Sequence, residues 1–153
     1  MKFADFSIGQ IFEARITISS QESDTYMSLA KIRNLLLENR ELAEEEVGIK
    51  EPFISGRSIL ARAEGEMTRL DAFSNNVMML YGMDGDPSWN NRQTRFLGVV
   101  HPGEELLVKY VVSNKVEGDD RSRGILSIDL EIRRAKDHKL VIISRRNLYS
   151  IKN

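Results

Sequence analysis

Residues 55–73 read SGRSILARAEGEMTRLDAF, a stretch with helical spacing and two internal glycines. Ser55 stands where a helix N-cap is needed, since a side-chain oxygen there can accept from a first-turn amide that lacks an intrahelical partner. Ile59, Leu60, Ala63 and Met67 then fall on one side, which predicts a helix from Gly56 to Leu70 laid across a sheet. Gly56 and Gly65 would each cost about 1 kcal/mol relative to alanine inside a helix, so their presence predicts close backbone packing. Arg57 and Arg62 lie on this largely buried helix, and a buried guanidinium needs a partner. They pair with Glu64, Glu66 or a neighbouring subunit, or they reach phosphate or carboxylate groups of a ligand.

Downstream the period changes to two. In GILSIDLEIRR, Leu126, Ile128, Leu130 and Ile132 alternate with Ser127, Asp129, Glu131 and Arg133, predicting a strand with one buried face. ELLVKYVV at 105–112 and KLVIISRRNLYSI at 139–151 read the same way, with turns near Gly118-Asp119 and Asp137-His138. Upstream, IFEARITI at 11–18 reads as a strand. From Asp24 to Glu46, Tyr26, Leu29, Ile32, Leu36 and Leu37 recur at helical spacing, predicting an amphipathic helix, continuous or broken, that Gly48 and Pro52 close. Gly82 to Gln93, with Gly85, Pro87 and Trp89, reads as a loop. A strand, two helices and then an antiparallel meander define the α+β class.

The 153 residues fit a single domain, 1–153, with 41% hydrophobic and 29% charged residues. Lys and Arg total 22 against 23 Asp and Glu, so net charge gives no reason to expect nucleic acid as a partner. There is no cysteine, which removes disulfides, thiolate metal sites and cysteine nucleophiles, and two histidines make a histidine-rich metal centre improbable. No stretch approaches the roughly 18 apolar residues of a membrane helix, and Asp5 interrupts the N-terminus where a signal peptide is apolar. The expectation is a cytoplasmic protein with no membrane partner.

Two segments resemble a known family. FADFSIGQIFEARITISSQESD at the start and TRFLGVVHPGEELLVKYVV at 94–112 are similar to the MaoC-like hydratases and dehydratases, and EPFISGRSILA lies between them. The resemblance implies a hotdog fold, a curved antiparallel sheet wrapped around the helix at Gly56. It also implies an acyl thioester ligand bound at a homodimer or higher hotdog oligomer, with coenzyme A or phosphopantetheine as part of the substrate and no separate cofactor. The implied reaction is addition or removal of water beside the thioester: a base activates water, an acid protonates carbon, and the helix-start amides hold the thioester oxygen. Ser55 and Gly56 match the family's His-Gly or Ser-Gly step. The family's Asp-x-Asn-Pro-x-His dyad has no counterpart in KIRNLLLENRELAEEEVGI: the Asp position falls on Ile32 or Arg33 and the His position on Leu37 or Glu38.

The remaining candidates each carry a plain reading beside a chemical one. Glu64 follows Gly56 by eight residues and resembles the helix carboxylate of some hotdog thioesterases; otherwise it is a solvated or ion-paired helix residue. Asn34 and Glu38 are four apart and share a face if helical, either at a site or on a hydrated surface. His101 is a turn histidine that serves as acid or base only if it reaches a site. Tyr81, Met78, Met79, Met83 and Trp89 line an acyl pocket or fill a core. Arg121, Arg123, Arg133, Arg134, Arg145 and Arg146 attract coenzyme A phosphates or face solvent. Three functions stay open: a MaoC-like hydratase or dehydratase, a thioesterase using Glu64, and a non-catalytic thioester-binding partner subunit.

Overall fold

The computed structural model describes residues 1–83, 94–119 and 121–153, the side chains of Tyr81 and Met83 excepted. The strands are β1 (Ile11–Ile16), β2 (Met78–Met83), β3 (Thr94–Phe96), β4 (Leu106–Glu117), β5 (Arg123–Arg134) and β6 (Leu140–Lys152). They form one antiparallel sheet in the order β1-β4-β5-β6-β2. β3 also pairs with β6, so β2 and β3 occupy the same edge. β2 pairs with the Asn147–Ile151 end of β6, and β3 with Ile142–Ser144.

The alternation read in β5 is the observed one, for Leu126, Ile128, Leu130 and Ile132 are all buried. Leu106, Val108, Tyr110 and Val112 of β4 point to the same side, and both strands join one continuous apolar core. Across that core lies the helix read from residues 55–73, here α4 (Gly56–Met67), about 18 Å long at 1.5 Å per residue. Ser58, Ile59, Ala63 and Met67 form its buried face. A sheet wrapped around one buried helix is the hotdog fold. The expected extension to Leu70 is absent, because Leu70 instead caps the short α5 (Asp71–Ser74).

The segment expected as one helix from Asp24 to Glu46 is three: α1 (Ser20–Ala30), α2 (Leu35–Glu38) and α3 (Arg40–Val47). Lys31 adopts left-handed backbone and ends α1. The side chains of Asn34 and Asn39 then accept from Leu36 N–H and Leu42 N–H and cap α2 and α3. The apolar spacing across these breaks is not a buried stripe, since Leu29 is 82% exposed. Gly48, with φ of 71°, ends α3 as the sequence implied.

The two helix glycines differ. A Cβ on Gly56 would overlap the Phe96 ring of β3, so close packing is real there. Among the described residues nothing lies within 4 Å of the position a Gly65 Cβ would take, so the packing expected at Gly65 is not found there. The N-terminal residues close one end of the core. Phe6 and Phe12 each pack on Phe73 with ring centroids 5.2 Å apart. Lys115 Nζ donates to the Phe6 carbonyl at 2.7 Å and lies 4.6 Å from the Phe3 ring centroid.

Candidate functional site

Ser55 is the N-cap residue of α4, but its hydroxyl makes no capping bond; its carbonyl accepts from Ser58 N–H at 3.0 Å and Ile59 N–H at 3.2 Å. The N–H groups of Gly56 and Arg57 have no hydrogen-bond partner among the described residues. The chain leading to them is anchored twice. Ile54 N–H donates to the Val100 carbonyl at 2.8 Å, and the Pro52 carbonyl lies 2.6 Å from His101 Nδ1. A carbonyl only accepts, so Nδ1 carries the proton. His101 is half-buried and works here as a clamp on the strap into α4.

A cleft of about 650 Å³ opens beside this helix start, lined by Asp24, Lys31, Phe53, Ser55 and Pro102 among others. Ile32, Arg33, Leu37 and Glu38, the positions that the family resemblance sets against its Asp and His, line it too. Across it Arg33 Nε donates to Glu38 Oε1 at 2.9 Å, an ion pair on the cleft wall. Asn34 is not brought to the cleft with Glu38, because its side chain is used in capping α2.

Glu64 lies on another side of the helix. Gly56, Leu60 and Glu64 follow one another at four-residue spacing and are half-buried. Phe96 of β3 packs against Gly56 at one end of this stripe, and Tyr149 of β6 reaches Glu64 at the other, so the stripe faces the sheet edge that carries β2 and β3. Tyr149 donates to Glu64 Oε1 at 2.8 Å, while Tyr110 of β4 donates to the Ala63 carbonyl at 2.6 Å. Neither tyrosine carries a sequence signal for these contacts, because inward positions on a strand read simply as core, and Phe96 lies on a strand too short to show a period.

Burial pushes both tyrosine hydroxyls well above the ordinary value of 10, with Glu66 adding at Tyr110 and Glu64 adding at Tyr149. Above pH 10 the unfolded chain therefore releases protons that the folded chain retains, and stability falls as pH rises. Below that value these groups leave stability unchanged. Tyrosinate absorbance from Tyr110 and Tyr149 is expected to appear only together with loss of the far-ultraviolet dichroism, and early ionisation with the fold intact would contradict it.

The other candidates are dispersed. Arg57 is exposed rather than buried, 5.8 Å from the Phe96 ring centroid, whereas Arg62 pairs with Glu66 at 2.6 Å. Arg123 is tied to Ser150 and the Val77 carbonyl, and Arg134 to Asp137 and the Val99 carbonyl. Arg133 pairs with Glu131. Of the arginines weighed as phosphate-attracting or solvent-facing, Arg123, Arg133 and Arg134 lie on β5, Arg145 and Arg146 on β6, and Arg121 precedes β5. Met78 packs on the core and Met79 is exposed. The side chains of Tyr81 and Met83, all of Trp89, and the expected loop beyond Met83 lie outside the described residues. Gly82 and Met83 themselves belong to β2 rather than to a loop. No group of metal-ligating side chains and no membrane-spanning helix occurs among the described residues.

No family model and no curated protein matches the chain. Solved structures do. The chain superposes on the monoamine oxidase regulatory protein of Archaeoglobus fulgidus with a TM-score of 0.80 at 20% identity, covering 100% of this chain and 95% of that one. A MaoC-like dehydratase from Rhodospirillum rubrum follows at 0.74 and 15% identity, covering 100% and 98%. An R-hydratase from Pseudomonas aeruginosa gives 0.71 at 15% identity, covering 99% and 84%. The protein is thus a hotdog-fold protein whose structural neighbours are MaoC-like dehydratases and R-hydratases.

Proposed function

We propose that the protein binds an acyl thioester of coenzyme A or an acyl carrier, with the thioester oxygen accepting from the N–H groups of Gly56 and Arg57. The observation that carries this reading is the pair of amides, without a partner among the described residues, at the start of α4 beside the 650 Å³ cleft that Ser55 lines. Amides at such a terminus are ready donors to developing negative charge. The likeness to hydratases and dehydratases supports water addition or removal as the reaction, and Glu38 and Asp24 are the carboxylates lining the cleft. A second copy of the chain is proposed to cover the sheet edge, where Val77, Met79, Leu80, Phe96 and Leu97 are exposed.

A second reading, thioester hydrolysis with Glu64 as base, is favoured by one observation. The Glu64 carboxylate is half-buried on the same stripe as Gly56 and is held by a hydroxyl.

Incubation with enoyl-, 3-hydroxyacyl- and saturated acyl-CoA separates the readings. Loss of enoyl absorbance or dehydration of the hydroxyacyl compound is expected for the first, and thiol release for the second. Binding without turnover identifies a non-catalytic subunit, and no binding of any of them removes the thioester proposal.

A further inference from the structure

Glu64 pairs with no arginine among the described residues. Arg62, two positions before it, turns to Glu66 at 2.6 Å, and Arg69 lies 4.0 Å from the same Glu66. Among the described residues, the partner of Glu64 is the neutral hydroxyl of Tyr149, which touches Oε1 only. A hydroxyl orients the carboxylate oxygen it donates to without adding charge beside it. The donor is rigid. Tyr149 is 3% exposed and its backbone is paired on both sides, to Leu126 of β5 and Leu80 of β2. Burial also keeps its phenol protonated, so at neutral pH it can only hold the carboxylate as a donor.

We propose that Tyr149 is a positioning residue that fixes Oε1 of Glu64 and so aims Oε2 at a water beside the thioester. The proposal rests on the thioesterase reading. In that reaction Glu64 takes a proton from water, the water oxygen adds to the thioester carbonyl carbon, and negative charge collects on the carbonyl oxygen at the α4 amides. Collapse of this intermediate breaks the carbon–sulfur bond, and the thiolate takes its proton from Glu64. Carboxylic acid and thiol leave, and the carboxylate is regenerated under the same hydroxyl.

The test is thiol release from a saturated acyl-CoA by the protein and four variants. Glu64→Gln is expected to lower kcat by about a hundredfold or more, the range of a lost general base. Tyr149→Phe is expected to lower kcat by about tenfold with KM unchanged, the range of a lost supporting contact. In the Glu64→Gln background, Tyr149→Phe should cause no further loss, because there is no longer a carboxylate to aim. Tyr110→Phe removes a hydroxyl that bonds backbone under the same helix and is expected to keep the wild-type rate. Equal losses in Tyr110→Phe and Tyr149→Phe, or an additive loss in the double variant, would mean a structural role and overturn the proposal. A normal Tyr149→Phe beside an inactive Glu64→Gln overturns the proposal alone. Wild-type activity in Glu64→Gln, or no thiol release by the parent protein, overturns the thioesterase reading with it.

Discussion

Gly124→Val is expected to destabilise the folded protein by about 2–4 kcal/mol, the range for displacing a large core side chain. Gly124 is buried in β5, paired with Glu117 and Ile151, and a Cβ there would fall within the Phe3 ring. That ring has little freedom to yield. Phe3 is 3% exposed, Lys115 Nζ covers it at 4.6 Å, and the same ammonium grips the Ala4 and Phe6 carbonyls. Moving Phe3 aside therefore loosens the whole N-terminal turn, including Phe6 against Phe73. The strand preference of valine offsets only a fraction of this, since that scale spans about 1 kcal/mol. Urea unfolding should show a lower midpoint with unchanged slope. Adding Phe3→Ala should then cost less than it does in the parent protein, by about 1 kcal/mol or more of coupling. Strict additivity would show that valine meets something other than this ring.

What was legible in the sequence follows from where periodicity and burial coincide. In β5 and α4 the apolar positions meet one core, and the reading of 124–134 and of the helix from Gly56 agrees with the structure to within a few residues. β2 was hidden because MMLYGM has no alternation and lies at an edge, with Met79 and Leu80 exposed. β3 is three residues long, too short for any period to show. The breaks between α1, α2 and α3 carried a signal that apolar spacing concealed: Asn34 and Asn39 are good N-caps, and Lys31 takes left-handed backbone with no glycine to mark it.

The site divided along a similar line. Ser55 and Gly56 stand at the helix start where the N-cap spacing read them, although the Ser55 hydroxyl makes no capping bond, and residues 32–38 reach the cleft just after α1. Contacts between distant residues had no such marker. Tyr149 lies 85 residues from Glu64, and His101 lies 49 from Pro52. A lone turn histidine looks like surface until the strap it clamps is seen. Arg57 and Arg62 looked alike in sequence, but they differ because one projects at the helix start over Phe96 while the other has Glu66 one turn along.

Gly56→Ala separates the two demands made on the helix start. Its backbone is not in the left-handed region, so alanine meets no backbone strain, and the stability change is expected to stay within about 1 kcal/mol. The added methyl does collide with Phe96, but that ring is 45% exposed at the sheet edge and can swing away at small cost. Binding is the more sensitive quantity. Glycine lets a carbonyl approach the backbone amides closely, and both the methyl and the displaced ring stand beside that approach. Affinity for a saturated acyl-CoA, measured by calorimetry, is expected to fall about tenfold or more, equivalent to about 1.4 kcal/mol. Phe96→Ala in the same chain gives the methyl room and should restore part of the loss if ring displacement contributes. Undiminished binding by Gly56→Ala, with the fold intact, would place the thioester carbonyl away from Gly56 and Arg57 and leave the cleft at Ser55 without its oxyanion donors.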